Sequence, residues 1–114
     1  MLEGIRRAER LLDIDPHNVR ALSLGAVALV NAGDRERALE WCRRAIETGA
    51  PGDPSAYINI GCTYLKLGDI DAALDSLENA FGRGCGKRDW VDHDPDYDPV
   101  RDHPRFRAML EKLK

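Results

Sequence analysis

The feature that most restricts the fold of this chain is an internal repeat of 35 residues. Glycine, aspartate and alanine recur at this offset, in the pairs Gly33/Gly68, Asp34/Asp69, Ala38/Ala73 and Ala45/Ala80. A glycine permits the left-handed residue that ends a helix, and an aspartate directly after it can cap the next helix. Fixed periods of about 20–50 residues are typical of solenoids, whose units bury their apolar faces against each other. The repeat therefore predicts a stack of helix–turn–helix units.

Apolar residues between these signals recur at helical spacing, so the sequence predicts an all-α fold. Asn18 is a predicted N-cap, and Asp53 is predicted to cap a later helix that has Pro54 at its first position. Trp41 could be an exposed anchor or could pack against a neighbouring helix. The predicted helices carry Leu22, Ala26, Leu29 and Val30; Ala38, Leu39, Trp41, Cys42, Ala45 and Ile46; Tyr57, Ile60, Gly61, Tyr64 and Leu65; and Ala73, Leu74, Leu77, Ala80 and Phe81.

The second unit resembles the tetratricopeptide repeat. The resemblance rests on Tyr57, Ile60-Gly61, Tyr64, Leu67-Gly68-Asp69, Ala73 and Ala80, which match the signature of that repeat. It implies an antiparallel helix-pair superhelix with about two full repeats, one N-terminal half repeat and a short C-terminal capping helix. We expect a single domain over residues 1–114, divided into a partial repeat (1–18), two repeats (19–53 and 54–87) and a cap (88–114).

The N-terminal segment 2–18 resembles the second helix of a further repeat, with Asp15-Pro16 at its exit. The sequence holds no first helix to pair with it, so we expect Ile5, Ala8 and Leu12 to have less cover than their counterparts. This pattern predicts that the chain is the C-terminal piece of a longer protein. The same helix could pair or exchange with that of another copy, which makes homodimerisation an alternative function.

The segment Trp90–Phe106 resembles the tail that ends a set of bacterial tetratricopeptide proteins, in which the repeats follow an adenylate cyclase, a protein kinase or a winged-helix domain. Its three prolines exclude a continuous helix. The resemblance implies a cap in which Trp90, Tyr97, Val100 and Phe106 cover the last repeat. After Pro104, one apolar stripe predicts a closing helix, formed by Phe106, Met109, Leu110 and Leu113.

The aspartates of this segment superficially match a calcium loop. Counted from Asp94, however, the positions that need Gly and a bidentate Glu hold Pro99 and Arg105. We therefore predict that the carboxylates cap turns, and that Asp94 or Asp98 pairs with Arg101 or Arg105. A metal-binding or enzymatic acidic loop is the weaker alternative. Because no nucleophile stands in a matched signature, we predict no catalytic residue, no metal, no cofactor and no enzyme activity.

Charge and cysteine content narrow the class of partner. The net charge is −3, and no basic stripe points to nucleic acid. The sequence lacks a run of about 18 apolar residues, so no membrane span is predicted. Cys42, Cys62 and Cys85 are odd in number and unevenly spaced, which indicates reduced thiols and a cytoplasmic protein. Cys85, near Arg83 and Lys87, could be reactive.

With nucleic acid and membranes not predicted, a protein is the expected kind of partner. The resemblance to the tetratricopeptide repeat implies where this partner would bind. In this family the first helix of each repeat lines a concave groove. Carried over by position, the groove residues are Ser23, Val27, Val30 and Asn31, then Ile58, Asn59, Cys62, Leu65 and Lys66, and the wider lining also includes Arg20, Leu24 and Ser55. Some of these could pack in the core instead. We predict a non-catalytic scaffold that binds a peptide or a partner helix, as the regulatory tail of a bacterial signalling protein.

Overall fold

The protein is described here from a computed structural model, which covers residues 2–48 and 52–113. That part of the chain contains seven α-helices and one 3₁₀ helix and has no strand. The helices are α1 (Leu2–Ile14), α2 (Val19–Asn31), α3 (Arg35–Thr48), α4 (Ala56–Leu67), α5 (Ile70–Gly82), α6 (Arg88–His93), the 3₁₀ helix (Pro95–Val100) and α7 (Pro104–Leu110). The predicted all-α, helix-pair fold is confirmed.

Three of the four predicted helix caps form by side-chain hydrogen bonds, and the one predicted at Asp53 does not. The Asn18 carboxamide oxygen accepts from the amide of Ala21 at 3.0 Å, which caps α2. Asp34 and Asp69 do the same for α3 and α5, at 3.2 and 3.1 Å. Each bond satisfies an amide that lacks a partner in the first turn of its helix. Both Gly-Asp signals therefore act as the sequence predicts.

The two glycines before these caps adopt positive φ, 89° at Gly33 and 83° at Gly68. A residue with a Cβ is strained in this region, so glycine ends α2 and α4 at little conformational cost. The start of α4 differs from the prediction. The segment that starts at Asp53 forms a turn, in which backbone hydrogen bonds join residues three positions apart, for example the Ala56 amide to the Asp53 carbonyl at 3.1 Å. The α-helix begins only at Ala56.

Small residues let neighbouring helices approach closely. A Cβ on Gly61 of α4 would lie 2.8 Å from the side chain of Leu77 in α5. A Cβ on Gly25 of α2 would lie only 2.2 Å from the ring of Trp41 in α3. Trp41 is buried, so it is a packing residue and not an exposed anchor. Helix α2 packs on both α3 and α4, and α4 packs on α5.

Helix α1 packs on α2 and buries Ile5, Ala8 and Leu12, each at most 8% exposed. These three side chains are buried, against the expectation that they have less cover than their counterparts, because this face of α1 packs on α2. The exposed apolar side chains of α1 are Leu11 and Ile14, which are 42% and 85% exposed.

The C-terminal segment folds back over the last repeat. Tyr97, Val100 and Phe106 are buried as predicted, and so are Met109 and Leu110 of α7. Leu113 is also buried, but it follows the end of α7 and does not belong to the closing helix as predicted. The Tyr97 ring stacks on Phe106, with centroids 5.7 Å apart, and meets Phe81 of α5 at 6.5 Å. Trp90 is 64% exposed, so its predicted role in the cap is wrong. Short helix α6 buries Val91 and leaves Trp90 outside, under the ammonium of Lys87.

Two arginines fix the cap in place. Arg101 pairs with Asp98 at 2.7 Å, as one of the predicted combinations, and its guanidinium also donates to the Asp94 carbonyl. Arg105 does not pair with the acidic segment. Its guanidinium bonds Glu78 at 3.1 Å and also Asp75, and it thereby ties α7 to α5. Within the described ranges, no helix has both the length and the hydropathy to cross a bilayer.

Candidate functional site

A hollow of about 160 Å³ lies where α2, α4 and the 3₁₀ helix of the cap meet, and we call it the central groove. It contains five of the nine groove residues predicted from the sequence. These five are Val27 from α2 and Ile58, Asn59, Cys62 and Lys66 from α4. They meet because α2 and α4, the first helices of successive repeats, lie side by side. Val27, Ile58, Asn59 and Cys62 are half-buried, so each keeps a solvent-facing surface.

Two predicted groove residues belong to the core instead. Ser23 is 1% exposed and donates its hydroxyl to the carbonyl of Arg20 at 3.3 Å. Leu65 is 5% exposed and lies in the apolar core. Successive helix residues are separated by about 100°, so a side chain one position from the groove can point into the neighbouring repeat. Neither side chain is accessible to a partner, and the prediction is corrected at both positions.

The remaining two predicted residues lie at the end of α2. Val30 is half-buried against the core, and Asn31 is exposed. The Asn31 side-chain oxygen accepts a hydrogen bond from the Lys66 ammonium at 2.7 Å, which joins the ends of α2 and α4. Nearby, Arg35 donates to the Leu67 carbonyl at 2.7 Å. Lys66 is therefore held at the rim of the central groove by a neighbour within the chain.

One wall of the groove was not predicted from the sequence. Asp94, Asp96 and Tyr97, from the start of the 3₁₀ helix, lie opposite α4. Tyr97 and Cys62 both line the groove, and the Asp94 carboxylate caps the 3₁₀ helix by accepting from the Asp96 amide at 2.9 Å. The cap thus covers the C-terminal end of the last repeat and also closes one side of the groove.

Burial keeps the thiols next to the groove protonated. Desolvation raises the pKa of Cys62 to about 11 and that of Cys42 to about 12. Burial likewise raises the pKa of Tyr97 above its ordinary value, and Asp94 and Asp96 act in the same direction. A thiol is a nucleophile only as the thiolate, so Cys42 and Cys62 are unreactive near neutral pH. What the groove offers is apolar surface, an amide and carboxylates, which suit binding.

A second hollow of about 300 Å³ continues from Asn59 toward the N-terminal end. Its lining includes Arg20, Leu24 and Ser55, which the resemblance places in the groove, together with buried Ser23. Asp53 also lines it and accepts a hydrogen bond from the Ser55 hydroxyl at 2.7 Å. Asn59 lines both hollows, so a ligand that passes it would contact each of them.

The aspartates of the cap are used mainly in local structure. Asp94 caps the 3₁₀ helix and Asp98 pairs with Arg101. Across residues 2–48 and 52–113, no three His, Cys, Asp or Glu side chains are grouped so that they could hold a metal ion. Cys85 is half-buried against the core.

Comparison with known proteins shows the family. Two family models, both described as tetratricopeptide repeat, match residues 3–54 and residues 54–83. The chain belongs to the tetratricopeptide repeat family. In structural terms, the two matches contain α1 to α5, the stacked helices that form the α2 and α4 sides of the central groove. The cap that forms its other wall lies beyond the matched residues.

Relatives with tetratricopeptide repeats come from distant organisms. The chain is 34% identical over 91 residues to tetratricopeptide repeat protein 36 of Danio rerio, covering 74% of the chain and 48% of that protein. It is 33% identical over 82 residues to TPR repeat-containing protein MJ0940 of Methanocaldococcus jannaschii, covering 72% and 25%. Identity to tetratricopeptide repeat protein 8 of Caenorhabditis elegans is 28% over 78 residues, covering 68% and 15%. The chain spans less than half the length of each relative.

Proposed function

We propose that this chain is a non-catalytic protein-interaction module that binds a short peptide segment of a partner along the central groove. One observation carries the proposal. Five side chains that the family resemblance places in the groove converge from two helices on one hollow, which has half-buried apolar walls. Convergent apolar and polar groups in a concave site are the usual features of a ligand pocket.

The lining suggests which groups of a peptide would bind. Val27 and Ile58 offer apolar contact, and the Asn59 side chain has no hydrogen-bond partner among the described residues. A carboxamide can both donate and accept, so Asn59 can bond the backbone of an extended peptide. Asp94 and Asp96 on the opposite wall favour donors, either peptide N–H groups or a basic side chain. A peptide with an apolar residue beside a lysine or arginine fits this lining best.

The wider role follows from the kind of surface and the length of the relatives. We infer that the module is the docking part of a larger regulatory protein. The resemblance of its C-terminal tail suggests bacterial signalling, and the three unevenly spaced cysteines suggest a cytoplasmic location. Self-association through α1 stays the alternative prediction, and light scattering over a range of concentrations tests it. A strictly monomeric chain would exclude it.

Selection of peptides from a random displayed library on the full chain tests the proposal. We expect selected peptides to lose about ten-fold or more in affinity on Ile58→Asp, because a carboxylate replaces an apolar contact beside the acidic wall. The control is Leu39→Asp, which makes the same kind of change at a 40% exposed position on α3, outside the groove. Binding that survives Ile58→Asp, or that both variants reduce equally, would contradict the proposal.

A further inference from the structure

The cap wall of the central groove carries two carboxylates that have no cationic partner among the described residues. Asp94 and Asp96 are half-buried, and both line the hollow of about 160 Å³. The Asp94 carboxylate accepts a hydrogen bond from the Asp96 amide at 2.9 Å. Within residues 2–48 and 52–113, the Asp96 carboxylate has neither a hydrogen bond nor an ion pair. Because a charge held partly out of water is costly unless it is paired, this wall favours a ligand that brings a positive charge.

The two cations next to this wall are bound to other groups. The Lys66 ammonium, at the rim of the groove, donates to a carboxamide oxygen at the end of α2 at 2.7 Å. Arg101 pairs with the Asp98 carboxylate at 2.7 Å and contacts Asp94 only at its backbone carbonyl. Among the described residues, neither cation forms an ion pair with the carboxylate of Asp94 or Asp96. The chain itself therefore supplies no direct counter-charge to this part of the hollow.

The negative charge acts across the hollow, as far as the α4 wall. Burial is the main cause that raises the pKa of the Cys62 thiol to about 11, and Asp96 and Asp94 act in the same direction. The Lys66 ammonium lowers the pKa of Cys62, but its influence is smaller than that of either carboxylate. The electrostatic field inside the hollow is therefore negative, directly beside its apolar side chains.

Charge decides which donor of a peptide suits these carboxylates. A peptide N–H group supplies a hydrogen bond but leaves the net charge of the hollow unchanged. An ammonium or guanidinium group also neutralises it, and charge-assisted hydrogen bonds are roughly twice as strong as neutral ones. An anionic group in the same place would face like charge, which opposes association. The wall lies beyond residues 54–83, which match the repeat model, so this preference belongs to the cap and not to the repeats.

We propose that the cap end of the central groove selects the partner's peptide by charge: a lysine or arginine side chain binds against Asp94 and Asp96, and the peptide is released when that charge is removed or a phosphate is added beside it. The inference rests on the proposed function, because it requires a peptide in the groove. Acylation removes the charge of a lysine, and a phosphoserine adds about −1.5 to −2 charge at neutral pH. Either modification of the partner therefore controls binding without any change in this chain.

Selection from a random displayed peptide library, on the full chain and on charge variants of it, tests this inference. On the unchanged chain we expect Lys or Arg to be enriched about three-fold or more at one position, near an apolar residue. Asp94→Asn/Asp96→Asn should abolish this enrichment and leave the apolar preference, and asparagine caps a helix about as well as aspartate does. The control is Asp89→Asn/Asp102→Asn, which removes two exposed charges of the same segment outside the hollow and should leave the enrichment unchanged.

One selected peptide is then synthesised with its basic residue, with glutamine in that place, and with phosphoserine beside it. In calorimetric titrations at low salt, glutamine should lower the affinity roughly three- to ten-fold and phosphoserine should lower it more. Asp94→Asn/Asp96→Asn should remove the first difference and reduce the second. Basic residues that stay enriched on this variant, or that are not enriched on the unchanged chain among peptides weakened by Ile58→Asp, would overturn the inference and leave the proposed function intact. Peptides that Ile58→Asp does not weaken would contradict both.

Discussion

The two ends of this helical stack solve the same physical problem differently. Every repeat exposes an apolar face to its neighbour, so the first and last units of a solenoid each leave one face open. At the C-terminal end, α6, the 3₁₀ helix and α7 cover the last repeat and bury Tyr97, Val100 and Phe106. At the N-terminal end, Leu11 and Leu24 line an open cleft.

The two ends of the described chain therefore differ in how completely their apolar faces are covered. The C-terminal cap is fixed by buried aromatics and by ion pairs to α5, and it also forms one wall of the central groove. It therefore stabilises the stack and shapes a binding surface at once. Between α1 and α2, by contrast, Leu11 and Leu24 are 42% and 48% exposed among the described residues.

The largest expected effect comes from removing the centre of the cap. Phe106→Ala should lower the free energy of unfolding by about 3–5 kcal/mol, because Phe106 is completely buried and its loss leaves a cavity beside Tyr97. Urea denaturation followed by circular dichroism measures the change. The matched control is Trp90→Ala, an aromatic of the same segment that is 64% exposed and should change stability by less than about 0.5 kcal/mol. Equal losses in both variants would mean that the two aromatics contribute alike to the cap.

The repeats could be predicted because their signals are local and recur at a constant period. Gly33 and Gly68 need no tertiary information to mark helix ends, and Asp34 and Asp69 cap the helices that follow. The start of α4 was misplaced by two residues because Asp53 and Pro54 form a turn with helix-like spacing. Helix identity is thus read from sequence more reliably than the first residue of a helix.

The groove was only partly predictable, since helical period gives the direction of a side chain but not what lies opposite it. Ser23 and Leu65 differ from true groove residues by one position on their helices, and both point into the core. The wall formed by Asp94 and Tyr97 has no periodic signal, because prolines break that segment into short helices. Its position depends on how the segment folds back on α4, which is a long-range contact.

A change of intermediate size tests how tightly the uncapped end is packed. Gly25→Ala should cost about 1–3 kcal/mol of unfolding free energy, because the new methyl group would lie 2.2 Å from the Trp41 ring. Gly4→Ala is the control: a Cβ there meets nothing within 4 Å, and alanine should stabilise α1 by up to about 1 kcal/mol. Thermal unfolding compares the two. If Gly25→Ala leaves the free energy of unfolding unchanged, α2 and α3 can move apart at little cost, and their contact is packed less tightly than the cap.

The smallest effect concerns the tie between the cap and the last repeat. Arg105→Gln removes the ion pairs that join Arg105 of α7 to Glu78 and Asp75 of α5. At low salt it should lower the free energy of unfolding by about 0.5–1 kcal/mol, a small change because the guanidinium is partly exposed. Salt screens such pairs, so the cost should fall as ionic strength rises. Arg107→Gln is the matched control, because its partner Asp102 lies within the cap and both side chains are largely exposed. Urea denaturation of both variants at low and high salt separates the two cases. If the loss of unfolding free energy in Arg105→Gln does not change with salt, the apolar part of the arginine side chain holds α7 by packing. The ion pairs to α5 would then contribute nothing measurable to the stability of the cap.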